Sequence, residues 1–213
     1  MLKCSTSLWS ADLANLESEI KRVEPFSEQF HLDVADGHYT PTMLFFPDLV
    51  QAIRPHTSVP FEVHLLTTDP VQWIEPFAEA GVNGFIFCYD TVQDFGKLRD
   101  LTRMHNCMMG ISLALSEPVQ LLDPFWKDLD LVTIIGTEIG IKGVGLDERA
   151  PKKLREAKQR IEESGAATET QSDGGIRRHT VPQLKEAGAD WIVPGSLMFK
   201  ENPSEMREWL AGL

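Results

Sequence analysis

The chain has 213 residues, 42% hydrophobic and 24% charged, with a net charge of −12, the profile of a globular protein with a sizeable core. That acidic balance excludes general nucleic-acid binding, which needs clustered Lys and Arg, and no stretch approaches the roughly 20 apolar residues that cross a bilayer. A small phosphate-bearing ligand stays open, provided that backbone N–H groups or a positioned cation receive it.

Short apolar or alternating runs recur along the chain and predict strands at Cys4–Leu8, Phe30–Val34, Phe61–Leu65, Gly84–Phe87, Gly110–Ala114, Leu131–Ile135, Ala167–Ser172 and Trp191–Val193. Amphipathic stretches between them predict helices at Leu13–Val23, Val71–Ala80, Gln93–Arg103, Ala150–Ser164 and Val181–Ala187. Trp73, Phe77 and Ala80 have helical spacing, and Gly81 and Gly188 fall where a helix should hand over to a strand. Eight strands alternating with helices imply a parallel sheet with right-handed crossovers. In this length a closed barrel fits better than an open sheet, whose GxGxxG loop after the first strand is missing. No linker, low-complexity run or repeat interrupts the βα rhythm, so a single domain over residues 1–213 is expected. Cys4, Cys88 and Cys107 are odd in number and widely spaced, against a disulfide framework or thiolate zinc cluster. The N-terminal stretch lacks the apolar run of a signal peptide, so a cytoplasmic location is expected.

Barrels of this kind place their chemistry at the C-terminal ends of the strands. On the second predicted strand, His31 and Asp33 share one face, while Phe30, Leu32 and Val34 point to the other. The pair can grip a metal ion or form a buried hydrogen-bonded couple. His64 ends the third strand, and Asp173 stands where the seventh meets a glycine turn. Together they make two His and two Asp on three strands, a set suited to a divalent metal. Gly174 and Gly175 follow the seventh strand, and Gly195 and Ser196 follow the eighth. Loops at these two places form the recurrent phosphate site of the architecture.

These segments, in this order, resemble the ribulose-phosphate 3-epimerase family. The matching pieces are Ser7-Leu8-Trp9-Ser10-Ala11-Asp12, His31-Leu32-Asp33-Val34-Ala35-Asp36-Gly37-His38, Val63-His64-Leu65, Ser172-Asp173-Gly174-Gly175-Ile176, and Ala187-Gly188-Ala189-Asp190 with Gly195-Ser196. The resemblance implies a (β/α)₈ TIM barrel of the ribulose-phosphate-binding type. Its metal would be held by His31, Asp33, His64 and Asp173, with Asp33 and Asp173 as the acid–base pair on opposite faces of the substrate. Ser7 would lie beside the sugar, and Gly174, Gly175, Gly195 and Ser196 would bind phosphate. The implied reaction interconverts D-ribulose 5-phosphate and D-xylulose 5-phosphate through an enediolate. The implied cofactor is one divalent metal, with zinc, iron(II), manganese and cobalt all open, and members are typically soluble homo-oligomers.

Several positions depart from the family pattern. Methionines usual in the family are Ala35 and Leu66 here; such side chains would roof the reacting carbons, and Ala35 leaves room. Pro41-Thr42 replaces Pro-Asn, Phe46 stands where glycine is usual, and Cys88 replaces a common histidine. The sixth loop, Ile139-Gly140-Ile141-Lys142-Gly143-Val144, keeps two glycines but loses the family's proline and glutamine. Gly140 and Gly143 are therefore expected at the substrate. Lys142 is either a point charge on the phosphate or a solvated loop lysine. The run Leu44, Phe45 and Phe46 suits an interface or the core equally. A related ketose phosphate, such as allulose 6-phosphate or a tetrulose phosphate, stays open as substrate, as does a barrel that binds a sugar phosphate without catalysis. The Asp-x-Lys-x-x-Asp array of related decarboxylases is absent.

Overall fold

A computed structural model describes residues 2–141 and 143–213. Eight parallel strands, β1 (Lys3–Ser7), β2 (Gln29–Asp36), β3 (Phe61–Leu66), β4 (Gly84–Cys88), β5 (Met108–Leu113), β6 (Leu131–Ile135), β7 (Glu169–Asp173) and β8 (Trp191–Val193), pair in chain order. β8 pairs back with β1, and β1 with β2, which closes the sheet into a (β/α)₈ barrel. All eight expected strands are present, with ends shifted by a few residues.

The helices α1 (Leu16–Val23), α2 (Pro47–Ile53), α3 (Val71–Glu79), α4 (Phe95–Met104), α5 (Arg149–Ser164), α6 (Val181–Glu186), α7 (Ser196–Phe199) and α8 (Pro203–Ala211) pack outside. Their apolar stripes explain the packing: α1 buries Leu16, Ile20 and Val23, and α5 buries Ala150, Leu154, Ala157 and Ile161, each at helical spacing. These stripes meet the outward faces of the strands, where Phe30, Leu32, Val63, Leu65, Phe85, Phe87 and Ile111 are fully buried. The β5–β6 connection carries only 3-10 turns, Val119–Leu122 and Trp126–Asp128. There Phe125 stacks on Phe95 of α4 at 4.0 Å, and Trp126 is buried, so aromatic packing covers the barrel in place of a helix.

The apolar run after β2 is only partly in the core. Met43–Leu44 forms a two-residue antiparallel extension on the end of β2, Phe45 is buried, and Phe46 is 56% exposed. No helix among the described residues is long and apolar enough to cross a membrane.

Asp190, part of the family-like motif before β8, does structural work. It accepts from Lys158 Nζ at 2.8 Å, Thr170 N at 2.9 Å and Thr170 Oγ1 at 3.0 Å, joining the base of β8 to β7 and α5. Burial opposes its charge, but Lys158 and Thr170 outweigh that and hold the carboxyl below its usual range. A carboxylate favoured in the folded state contributes stability above its unfolded pKa, and this is lost as pH falls through the folded value. Asp190→Asn is therefore expected to cost about 1–2 kcal/mol at neutral pH. Denaturant melts should show the difference from the parent fading below pH about 4; a difference independent of pH would refute the ionic part of this account.

Candidate active site

Alternate residues of each strand point into the barrel, and many of those here are polar. His31, Glu62, His64, Ser112, Thr133 and Gln171 are all buried there to 1% exposure or less. Such groups need partners, and a network supplies many of them. Glu62 Oε1 receives Ser5 Oγ at 2.5 Å, Gln171 Nε2 at 2.8 Å and His31 Nδ1 at 2.8 Å, while Thr133 Oγ1 donates to Gln171 Oε1 at 2.8 Å. His64 Nε2 lies 2.9 Å from Ser112 Oγ, whose hydroxyl donates onward to Phe87 O at 3.4 Å.

These partners fix both imidazole tautomers. A carboxylate only accepts, so His31 donates from Nδ1 and keeps its lone pair on Nε2. Ser112 gives its proton to a carbonyl, so it accepts from His64 Nε2 and leaves the lone pair on Nδ1. Both lone-pair nitrogens, His31 Nε2 and His64 Nδ1, are buried without a hydrogen-bond partner. Both face the same two carboxylates: His31 Nε2 is 3.4 Å from Asp33 Oδ1 and 3.7 Å from Asp173 Oδ2, and His64 Nδ1 is 3.7 and 3.8 Å from the same oxygens.

One donor atom from each of His31, Asp33, His64 and Asp173 lies within 4.8 Å of the others. A single cation with ligand bonds of about 2.0–2.2 Å in tetrahedral array separates its ligand atoms by about 3.3–3.6 Å. The nitrogen–carboxylate distances of 3.4–3.8 Å are close to that spacing, and two buried nitrogens without a hydrogen-bond partner, both facing two carboxylates, suit a divalent metal. Charge agrees with geometry. Burial disfavours a charged imidazole, yet Asp33, Glu62 and Asp173 hold His31 well above its ordinary pKa, and Asp33 takes the lead in raising His64 to about 9. The surroundings thus favour positive charge at this point, which protons or a cation can supply.

Above the four donors opens a cavity of about 480 Å³. Its wall includes Asp33, His64 and Asp173, together with Ser7, Gly140, Gly143, Gly174, Gly175, Gly195 and Ser196, so the structure assembles the sequence-derived candidates around one space. His31 lies beneath it, fully buried. Ser7 Oγ donates to Asp33 Oδ2 at 3.2 Å. Lys142 lies outside the described residues. Gly174 and Gly175 have φ of +88° and +70°, and a Cβ on Gly175 would meet the Leu146 backbone at 2.5 Å, so only glycine fits this turn beside the sixth loop.

Two features were not read from the sequence. Glu62, Ser112 and Gln171 orient the candidate ligands, and their signal was available for Glu62: it precedes His64 by two residues on the same strand, hence on the same inward face. Ala35, Leu66 and Cys88 form a small apolar cluster against which Tyr39, Leu44 and Ile139 of the sixth loop pack.

Comparison with known proteins gives a consistent picture. A family model described as the ribulose-phosphate 3 epimerase family matches residues 3–199. Ribulose-phosphate 3-epimerase of Bacillus subtilis is 32% identical over 204 residues, 95% of this chain and 94% of that protein. The protein of that name from Treponema pallidum is 34% identical over 194 residues, covering 91% and 89%, and the one from Escherichia coli K12 is 31% identical over 213 residues, covering 96% and 94%. Among solved structures, the tryptophan synthase A-subunit of Pyrococcus furiosus superposes with a TM-score of 0.70 at 16% identity, covering 100% of this chain and 98% of that one, a likeness of fold alone.

Proposed function

The chain belongs to the ribulose-phosphate 3-epimerase family, and from that membership we propose that it is an isomerase interconverting D-ribulose 5-phosphate and D-xylulose 5-phosphate at C3. The observation that carries the reading is the four-donor cluster: two lone-pair nitrogens and two carboxylates within 4.8 Å, at the floor of a cavity walled by glycine turns. His31, Asp33, His64 and Asp173 would hold one divalent ion. When bound it supplies Lewis-acid stabilisation of the negative charge that develops as the proton beside the ketone leaves.

The remaining chemistry belongs to the protein. Asp33 stands on β2 and Asp173 on β7, separated in the closed barrel by β1 and β8, so their carboxylates approach the cavity from different sides. That placement suits removal of a proton from one face of C3 and return of a proton to the other. The ordinary pKa of each carboxyl is perturbed in opposite directions. Burial alone would raise Asp33, but His31 outweighs it and holds it low, whereas burial and the neighbouring Asp33 raise Asp173. Ser7 steadies Asp33, and the apolar cluster of Ala35, Leu66 and Cys88 under Ile139 keeps water from the reacting carbons. The turns at Gly174–Gly175 and Gly195–Ser196 bring backbone close to the phosphate.

Proton NMR in D₂O with metal-loaded protein and D-ribulose 5-phosphate tests the reading. The expected result is loss of the C3 proton signal with growth of D-xylulose 5-phosphate. Treatment with a chelator should reduce the rate by at least about 100-fold, and zinc, manganese, cobalt or iron(II) should restore it. Turnover of allulose 6-phosphate or a tetrulose phosphate in place of the pentulose would keep the reaction and replace the substrate. No C3 exchange with any ketose phosphate, metal being bound, would end the epimerase reading.

A further inference from the structure

The loops after β7 and β8 each carry two adjacent charged residues with opposite placements. Arg178 and Glu201 bind each other: Nη2 and Nε of Arg178 both lie 2.8 Å from Glu201 Oε2, and the guanidinium sits over Trp209, 5.1 Å from the ring centroid. This pair straps the two loops together on the outside. Their chain neighbours, Arg177 and Lys200, line the cavity, and neither forms an ion pair with a carboxylate among the described residues.

Arg177 is held by its own turn. Its backbone N donates to Thr180 Oγ1 at 2.8 Å, and the same buried hydroxyl donates to Gly175 O at 2.8 Å, which ties the turn carrying Gly174 and Gly175 to the segment carrying Arg177. Nη1 donates to Ile176 O at 2.8 Å, leaving other guanidinium N–H groups for a ligand. Lys200 follows Ser196 by one turn, with its backbone N bonded to Ser196 O at 2.9 Å. In a chain of net charge −12, two cations on the wall of one cavity, neither paired with a carboxylate among the described residues, form a local positive pole. It lies on the two loops whose glycine turns approach that cavity.

We propose that Arg177 and Lys200 clamp the phosphate of the substrate, adding a forked donor and a point charge to the backbone groups of the two turns, and so select phosphorylated ketoses over free ones. The proposal rests on the epimerase reading for the identity of the substrate, but not for the presence of an anion site. An Arg fork meets two phosphate oxygens at once, and a Lys ammonium supplies charge without fixed direction.

The test pairs two readouts on Arg177→Ala, Lys200→Ala and the double variant. In steady-state kinetics with D-ribulose 5-phosphate, each single change should raise KM by about 10-fold and the double change by about 100-fold, with kcat held within about 3-fold. Calorimetric titration of the full-length protein with inorganic phosphate should show a matching loss of affinity, and Arg177→Lys should recover part of it. Thermal melts separate this from a folding defect, since a binding role leaves Tm near that of the parent. If the parent turns over no ketose phosphate but phosphate affinity still falls in the double variant, the clamp stands and the substrate assignment falls. Equal phosphate affinity in parent and double variant, both folded, overturns the clamp whatever the kinetics report.

Discussion

Replacement of Asp173 by asparagine is expected to lower kcat for epimerisation by about 10³- to 10⁴-fold while leaving phosphate affinity close to that of the parent. Asparagine has the shape of aspartate and can still present an oxygen to a cation, but it cannot accept or return a proton. The two carboxylates have different surroundings: the Asp33 side chain is 8% exposed with Ser7 Oγ at 3.2 Å, while that of Asp173 is 20% exposed at the cavity floor. If each serves one face of C3, the variant keeps one of the two proton transfers. Deuterium should then still enter one epimer slowly at C3 from D₂O, with no net interconversion. Metal content, measured on the same preparation, distinguishes loss of a proton carrier from loss of the ion. A variant that retains turnover within about 10-fold of the parent would remove Asp173 from the acid–base role.

How much of this could be read from the chain depends on the range of the interaction. Period-two alternation put His31 with Asp33 on one face, and the barrel follows from eight repeats of strand and helix; both are local signals that the closed sheet preserves. The helices α2 and α8 were not anticipated, although each starts with proline at its first position, after Phe46 and Asn202, and Asn202 Oδ1 caps the second through Ser204 N at 3.0 Å. Their short apolar stripes gave too few turns for periodicity to register. The missing helix between β5 and β6 has no local signal, because its place is taken by a contact between Phe125 and Phe95 across two connections. The packing of Ile139 against the cluster of Ala35, Leu66 and Cys88 is likewise a meeting of distant loops. Arg177 could be recognised as charged, but only the turn closed by Thr180 decides that it faces the cavity while Arg178 faces Glu201. The candidate ligands are legible because His31 and Asp33 share one strand face and His64 and Asp173 stand near strand ends; the partners that orient them depend on which strand lies opposite.

Glu62 is the clearest case, and changing it should have the second large effect. Its carboxylate is fully buried, and Oε1 alone receives Ser5, His31 and Gln171, three donors from β1, β2 and β7. Glu62→Ala leaves those donors without an acceptor in a space closed to solvent, at roughly 1–3 kcal/mol each before relaxation. An expected loss of about 3–5 kcal/mol is of the size seen when one member of a buried polar network is removed. The same change frees the His31 ring to turn and to take the other tautomer, so metal affinity should fall about 10- to 100-fold in competition with a chromophoric chelator. Glu62→Gln separates the two effects. Its carbonyl oxygen can still accept from His31 Nδ1, keeping the tautomer and most of the stability, whereas the lost charge makes the imidazole a weaker donor to the ion. Stability near the parent with reduced metal affinity in Glu62→Gln would identify the carboxylate charge as what tunes His31. Parent-like metal affinity in both variants would mean that the barrel holds the His31 ring without Glu62, and that the tautomer argument built on the 2.8 Å contact is wrong.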